Sequence, residues 1–171
     1  MTAKGKVLEQ DTEKSVPDGW MFERLKDAPP PPPDAFKGKS FTRFTPKNIC
    51  DCVIGNPISR TVYWIEQKEE SGTSLSFSRI DMKNLKKLVE TKGNCKYGFT
   101  KALFQIKFTR KRSGCYFVDA NLIKEYIDNP PILRGSKPTC SFPYDWVVKN
   151  GTLIPERLKK VRYHYYLDEV L

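Results

Sequence analysis

The chain has 171 residues, enough for one domain with a sizeable core and too few for two comfortable ones. Thirty Lys and Arg against twenty Asp and Glu give a net charge of +10, which points to nucleic acid or an anionic membrane surface as partner. No stretch approaches the length of a membrane span and Met1 to Gln10 holds no apolar run, so neither a span nor a signal peptide is expected; Thr2 excludes N-myristoylation and Leu171 ends no prenylation box.

In chain order, residues 1–40 read as a flexible, charged and Pro-rich arm, because the first nineteen carry only Val7, Leu8 and Val16 as aliphatic anchors. Trp20, Met21 and Phe22, with Leu25, form a small apolar patch in that arm. The patch suits either packing on the body or docking onto another subunit. Pro29, Pro30, Pro31, Pro32 and Pro33 form a stiff polyproline II run. This run serves as a spacer or as a ligand for a Pro-binding host domain, with Lys26 ahead of a Pro-x-x-Pro core. Lys37, Lys39, Arg43 and Lys47 interleave with Phe36, Phe41 and Phe44 as a thinner basic stretch.

Residues 41–171 read as a single small basic α+β domain, an antiparallel sheet packed by about two helices. Ile49 to Ile54 and Arg60 to Glu66 read as strands. Glu69 to Gly72 reads as a turn, with Leu75 and Phe77 on its hairpin partner. Asp81 is a good N-cap, and Met82, Leu85, Leu88 and Val89 then mark one apolar face of a helix stopped at Gly93-Asn94. Ala102, Phe104, Ile106 and Phe108 alternate as a strand, and Cys115 to Val118 return from the Ser113-Gly114 turn. Asp119 caps a second helix with Leu122, Ile123, Tyr126 and Ile127 on its face, stopped by Pro130 and Pro131. Phe142, Tyr144 and Trp146 alternate as an extended stretch, and Asn150-Gly151 signals a hairpin returning through Thr152 to Ile154. Arg157, Lys159, Lys160 and Arg162 add a further group of cations before the closing tyrosines.

The charge is local. Between Arg79 and Arg112 lie eleven Lys and Arg, against only Asp81 and Glu90. Lys83, Lys86 and Lys87 on the first helix, and Lys107, Arg110, Lys111 and Arg112 at the hairpin tip, are the candidate anion-binding residues. Adjacent cations in a tight turn repel one another and call for an anionic partner. The residues suggest no enzyme. His164 is the only histidine and sits among tyrosines, no Gly-rich phosphate loop appears, and the acid pairs Glu69-Glu70 and Asp168-Glu169 read as solvated. A Mg²⁺ nuclease stays open only because its acids can lie far apart in sequence. No cofactor is expected. The five cysteines (Cys50, Cys52, Cys95, Cys115, Cys140) lack a C-x-x-C; they admit a zinc site, but reduced thiols are the default.

The order of parts (charged arm, proline run, two strands, basic helix, strand) resembles the matrix proteins of rhabdoviruses, in size the cytorhabdovirus-like, plant-infecting ones. The blocks Leu75 to Asp81, Gly93 to Phe108 and Lys111 to Asp119 carry the likeness. The Pro-Pro-x-Tyr budding motif is missing, and the N-terminal lysines are only Lys4, Lys6 and Lys14. The resemblance implies a non-enzymatic virion protein of the host cytoplasm and inner membrane face, or of the nucleus. Such a protein condenses the viral nucleocapsid and its RNA, touches the anionic inner leaflet, and self-associates through an arm. Trp20, Met21, Phe22 and Pro29 to Pro33 would be that docking arm. The alternative is a nucleic-acid-binding accessory protein that tracks phosphates with the same patch and stacks bases on Tyr97, Phe99 or Tyr116. A third reading is an adaptor acting through its prolines alone.

Overall fold

A computed structural model describes residues 6–25, 48–91, 93–95, 98–110, 113–132 and 137–171. Helix α1 (Lys6–Glu13) leads into edge strand β1 (Met21–Arg24), which pairs antiparallel with β2 (Cys52–Asn56). β2 turns back into β3 (Thr61–Glu70), whose residues alternate between the two faces of the sheet. A crossover then carries the short strand β4 (Ser74–Ser76), helix α2 (Met82–Glu90) and strand β5 (Gly93–Cys95) before β6 (Gly98–Phe108). β6 lies parallel to β3 from the Thr61–Phe99 pair to the Glu70–Phe108 pair. Parallel neighbours need such a long connection, and a helix on the sheet face is its usual form. β7 (Gly114–Asp119) returns antiparallel to β6, and Asp119 caps α3 (Ala120–Asp128). Strand β8 (Ser141–Pro143) pairs with β4. Helix α4 (Tyr144–Asn150) follows, and β9 (Thr152–Ile154) closes the sheet beside β7. A separate hairpin, β10 (Glu156–Lys159) with β11 (Arg162–Tyr165), lies over the α1 side.

The seven-stranded sheet, in the order β1-β2-β3-β6-β7-β9 with β5 beside β6, thus divides two cores. On one face Val53, Phe104, Ile106, Phe108 and Val118 pack with Leu85, Leu88, Ile123 and Val147 from α2, α3 and α4. On the other, Ile54, Ile65, Phe117 and Ile154 pack with Leu8, Tyr165 and Leu167. The protein is an α+β single domain with a mostly antiparallel sheet and, among the described residues, four α-helices.

Three local expectations change. Residues 6–25, expected in the flexible arm, form α1 and β1. Their few aliphatic anchors are supplemented by buried polar ones: the Thr12 hydroxyl donates to Gln105 Oε1 at 3.0 Å, and Asp11 pairs with Arg162. Leu75 joins β8 instead of a hairpin with β3, whose free side is taken by β6. Tyr144 to Asn150 is a helix, entered from Pro143, and Gly151 ends that helix where a hairpin turn was expected.

Candidate active site

Period-two alternation on β3 puts Trp64, Glu66 and Lys68 on the α2 face and Tyr63, Ile65 and Gln67 on the α1 face. Cys52 pairs with Ile65 across β2 and β3, so Asp51, one step further out, falls beside Glu66. Two backbone bonds fix this placement. The Asp51 N–H donates to the Ile65 carbonyl at 3.1 Å, and the Gln67 N–H donates to Asp51 Oδ2 at 2.6 Å. The Lys68 ammonium donates to Glu66 Oε1, and each side chain is 16% exposed. Behind them Gln67 is clamped on the opposite face, its amide donating to Gln105 Oε1 at 2.6 Å and to Thr12 Oγ1 at 3.0 Å. The backbone at 66–68 is therefore held from both sides of the sheet.

Asp51 and Glu66 face a polar pocket of about 220 Å³, also lined by Leu25, Asn48, Cys50, Asp81 and Asn84. The first turn of α2 forms its rim. Asp81 caps that helix by accepting from the Lys83 and Asn84 N–H groups, and Asn84 Nδ2 donates to the Asn48 carbonyl at 2.9 Å. Burial first, then the charge of Asp51, raises the Glu66 carboxyl above the ordinary carboxylate range, and Lys68 opposes that rise. Burial pushes the Cys50 thiol up to about 12, so it is a neutral packing group whose Sγ donates to the Cys52 carbonyl.

Two partly buried carboxylates pressed together, with one neighbouring cation, form a donor set that a divalent cation fits. Among the described residues no three His, Cys, Asp or Glu side chains gather for a metal, so no zinc-type cage is present there. One or two carboxylates completed by water and substrate oxygens is instead the ordinary Mg²⁺ arrangement, and Asp51 and Glu66 would hold the ion.

Lys83, Lys86 and Lys87 lie exposed on α2, the helix whose start lines the pocket. Lys107 does not join them. It is 3% exposed, paired with both oxygens of Glu156 and set 3.7 Å from the Tyr163 ring centroid. Its position on β6 points it into the α1-side core, which corrects its assignment to an anion-binding tip. Arg110 is exposed, while Lys111 and Arg112 lie outside the described residues. Trp20 and Phe22 pack against the second core, and Met21 is 50% exposed on the edge strand. Pro29 to Pro33, and Tyr97, lie outside the described residues. Phe99 is exposed, but Tyr116 is buried with its hydroxyl 3.0 Å from that of Tyr144, which removes it as a base-stacking platform. Glu70, expected to be solvated, pairs with Arg79. His164 meets the Tyr166 ring edge-on.

Asp51, Glu66 and Lys68 were not among the sequence candidates. Their local signal is thin: an acid and a lysine two apart on a strand, and an acid just before another strand.

No family model and no curated protein matches the chain. Among solved structures it is similar to Hjc, a Holliday junction resolvase from the hyperthermophilic archaeon Archaeoglobus fulgidus. That likeness is 16% identical over 86% of this chain and 91% of that one, with a TM-score of 0.44. A likeness at that level brings no activity to this chain. The rhabdovirus matrix resemblance is not what the comparison returned: the structure found is a Holliday junction resolvase. The viral, budding and non-enzymatic expectations are corrected accordingly. The nucleocapsid and the inner membrane leaflet, which that resemblance implied, find no support in the structure found.

Proposed function

We propose that this protein is a metal-dependent nuclease that hydrolyses phosphodiester bonds at the pocket beside α2. One observation carries the reading: strand register sets the Asp51 and Glu66 carboxylates side by side at a polar pocket, with the Lys68 ammonium on Glu66. A divalent cation bound there would supply Lewis-acid charge and a water of lowered pKa. Asp51 and Glu66 would hold the ion. Lys68 holds its positive charge where negative charge builds on the non-bridging phosphate oxygens, and it orients the attacking water. That water adds to phosphorus, one ester P–O bond breaks, and the departing oxygen takes up a proton. Lys83, Lys86 and Lys87 extend the site along α2 as phosphate contacts, and Arg110 adds a fourth at the end of β6.

The test is cleavage of labelled single-stranded, duplex, flap and four-way-junction DNA, and of RNA, in Mg²⁺ or Mn²⁺. Asp51→Asn, Glu66→Gln and Lys68→Ala should each lower the rate by about 10²–10³-fold, the scale of losing one electrostatic contributor. Affinity measured in Ca²⁺ should stay within about threefold. Cleavage that survives these substitutions, or no cleavage of any substrate, overturns the reading. A binding protein without catalysis is the second reading, favoured by the exposed lysine face of α2; it predicts binding by wild type and no turnover anywhere.

A further inference from the structure

The β10–β11 hairpin stands apart from the sheet, and its exposed side takes no part in the pocket described above. Glu156 and strand β11 are fixed to the body. Glu156 holds Lys107, and Arg162 pairs with Asp11 while donating to Gln10 Oε1 at 3.1 Å. The Tyr163 N–H donates to Asp11 Oδ2, and the Tyr165 N–H to Ser15 Oγ at 3.0 Å. The rest of β10 and the turn have the opposite character. Val161 is 83% exposed and Leu158 55% exposed. Arg157, Lys159 and Lys160 surround them, all exposed and none ion-paired with another described residue. Bare aliphatic side chains flanked only by cations, on a rigidly held hairpin, have no role in this protein's own core.

The turn itself carries a second signal. Lys160 sits at φ 56°, between the paired Lys159 and Arg162. Glycine is the ordinary occupant of that conformation, and a side chain there is disfavoured. The chain accepts strain to keep a cation at the tip, and observed strain of this kind points to function.

The base also lies level with the candidate site. Glu156 grips Lys107, which is in register with Glu69, the residue after Lys68 on β3.

We infer that the β10–β11 tip is a nucleic-acid wedge. Arg157, Lys159 and Lys160 grip phosphates while Val161 and Leu158 press between bases and unstack them. Apolar wedges flanked by cations are the general device for opening a base step. The inference rests on the nucleic-acid reading above, but not on catalysis.

The experiment uses the full chain and a forked DNA duplex carrying 2-aminopurine at the fork, with Ca²⁺ replacing Mg²⁺. Wild type should raise the 2-aminopurine fluorescence about threefold. Val161→Ser with Leu158→Ser should abolish that rise while single-strand affinity stays within about threefold. Lys159→Ala with Lys160→Ala should weaken binding about tenfold and flatten the salt dependence by roughly 0.9 per lost duplex phosphate contact. Lys160→Gly should raise Tm while lowering affinity, two shifts that a merely structural lysine would not combine. The wedge is overturned if wild type gives no fluorescence rise, if the Val161 and Leu158 variant unstacks like wild type, or if the tip is needed for anionic vesicles and not for DNA. Asp51→Asn separates the two proposals: it should slow cleavage by about 10²–10³-fold and leave unstacking intact. Unstacking by a wild type that never cleaves sinks only the nuclease reading.

Discussion

Glu66 is the side chain on which the site's electrostatics turn. Burial and Asp51 raise its pKa in the folded state, so the native protein holds this proton more tightly than the unfolded chain does. The stability tied to that proton is full below the ordinary carboxylate pKa and is lost as pH rises through the folded value. Glu66→Gln should therefore be more stable than wild type at pH 8, and the advantage should vanish by pH 4. Urea unfolding at the two pH values checks it; an equal difference at both would remove the electrostatic account. Lys107 shows the converse. It belongs by sequence to the most basic stretch, yet burial against Glu156 and Tyr163 takes it out of the surface field. A formal charge count does not see where a strand points its side chains.

Among the elements, α2 and α3 were legible because their signals are local. Asp81 accepts from the backbone of Lys83 and Asn84, and Asp119 from that of Asn121, each just ahead of an apolar face at helical spacing. The β6–β7 hairpin followed from alternation and the Ser113-Gly114 turn. Helix α4 was not legible. Its Tyr144 and Trp146 continue the alternation from Phe142, and only the packing of Trp146 on Tyr126 and Phe142, and of Tyr144 on Phe108 and Tyr116, selects a helix. Gly151 is required at its end by close approach. A Cβ there would lie 2.7 Å from the Val147 carbonyl oxygen, 3.1 Å from Val118 Cγ2 and 3.2 Å from the Phe117 carbonyl oxygen. Gly151→Ala should cost about 1–3 kcal/mol, the usual scale of overpacking. Equilibrium urea unfolding measures it; a neutral result would mean that α4 shifts freely against β7.

For the whole molecule, cations lie on both faces of the sheet. The exposed lysines of α2 flank the acidic pocket on one face, and the cationic hairpin rises from the other. Phosphate contacts release counterions, so each adds roughly 0.9 to the slope of log affinity against log salt on duplex DNA. Lys83→Glu, Lys86→Glu and Lys87→Glu together should flatten that slope by roughly 2–3 and leave Tm nearly unchanged, because all three are solvent-exposed. Fluorescence anisotropy across a NaCl series decides it. An unchanged slope would make α2 a solvated face and place phosphate binding elsewhere.

The amino-acid sequence by itself determined the α+β class, the capped basic helix, the β6–β7 hairpin and the concentration of charge between Arg79 and Arg112. Each is written in neighbours two to four residues apart, where periodicity and capping act. The tertiary structure alone decided that β3 lies parallel to β6, that Asp51 meets Glu66, that Lys107 is buried, and that residues 6–25 belong to the body. Those outcomes depend on which apolar faces are buried against each other across tens of residues. A one-residue change of register would carry Glu66 and Lys68 to the opposite face of the sheet and dissolve the site. No local window of the sequence contains that choice.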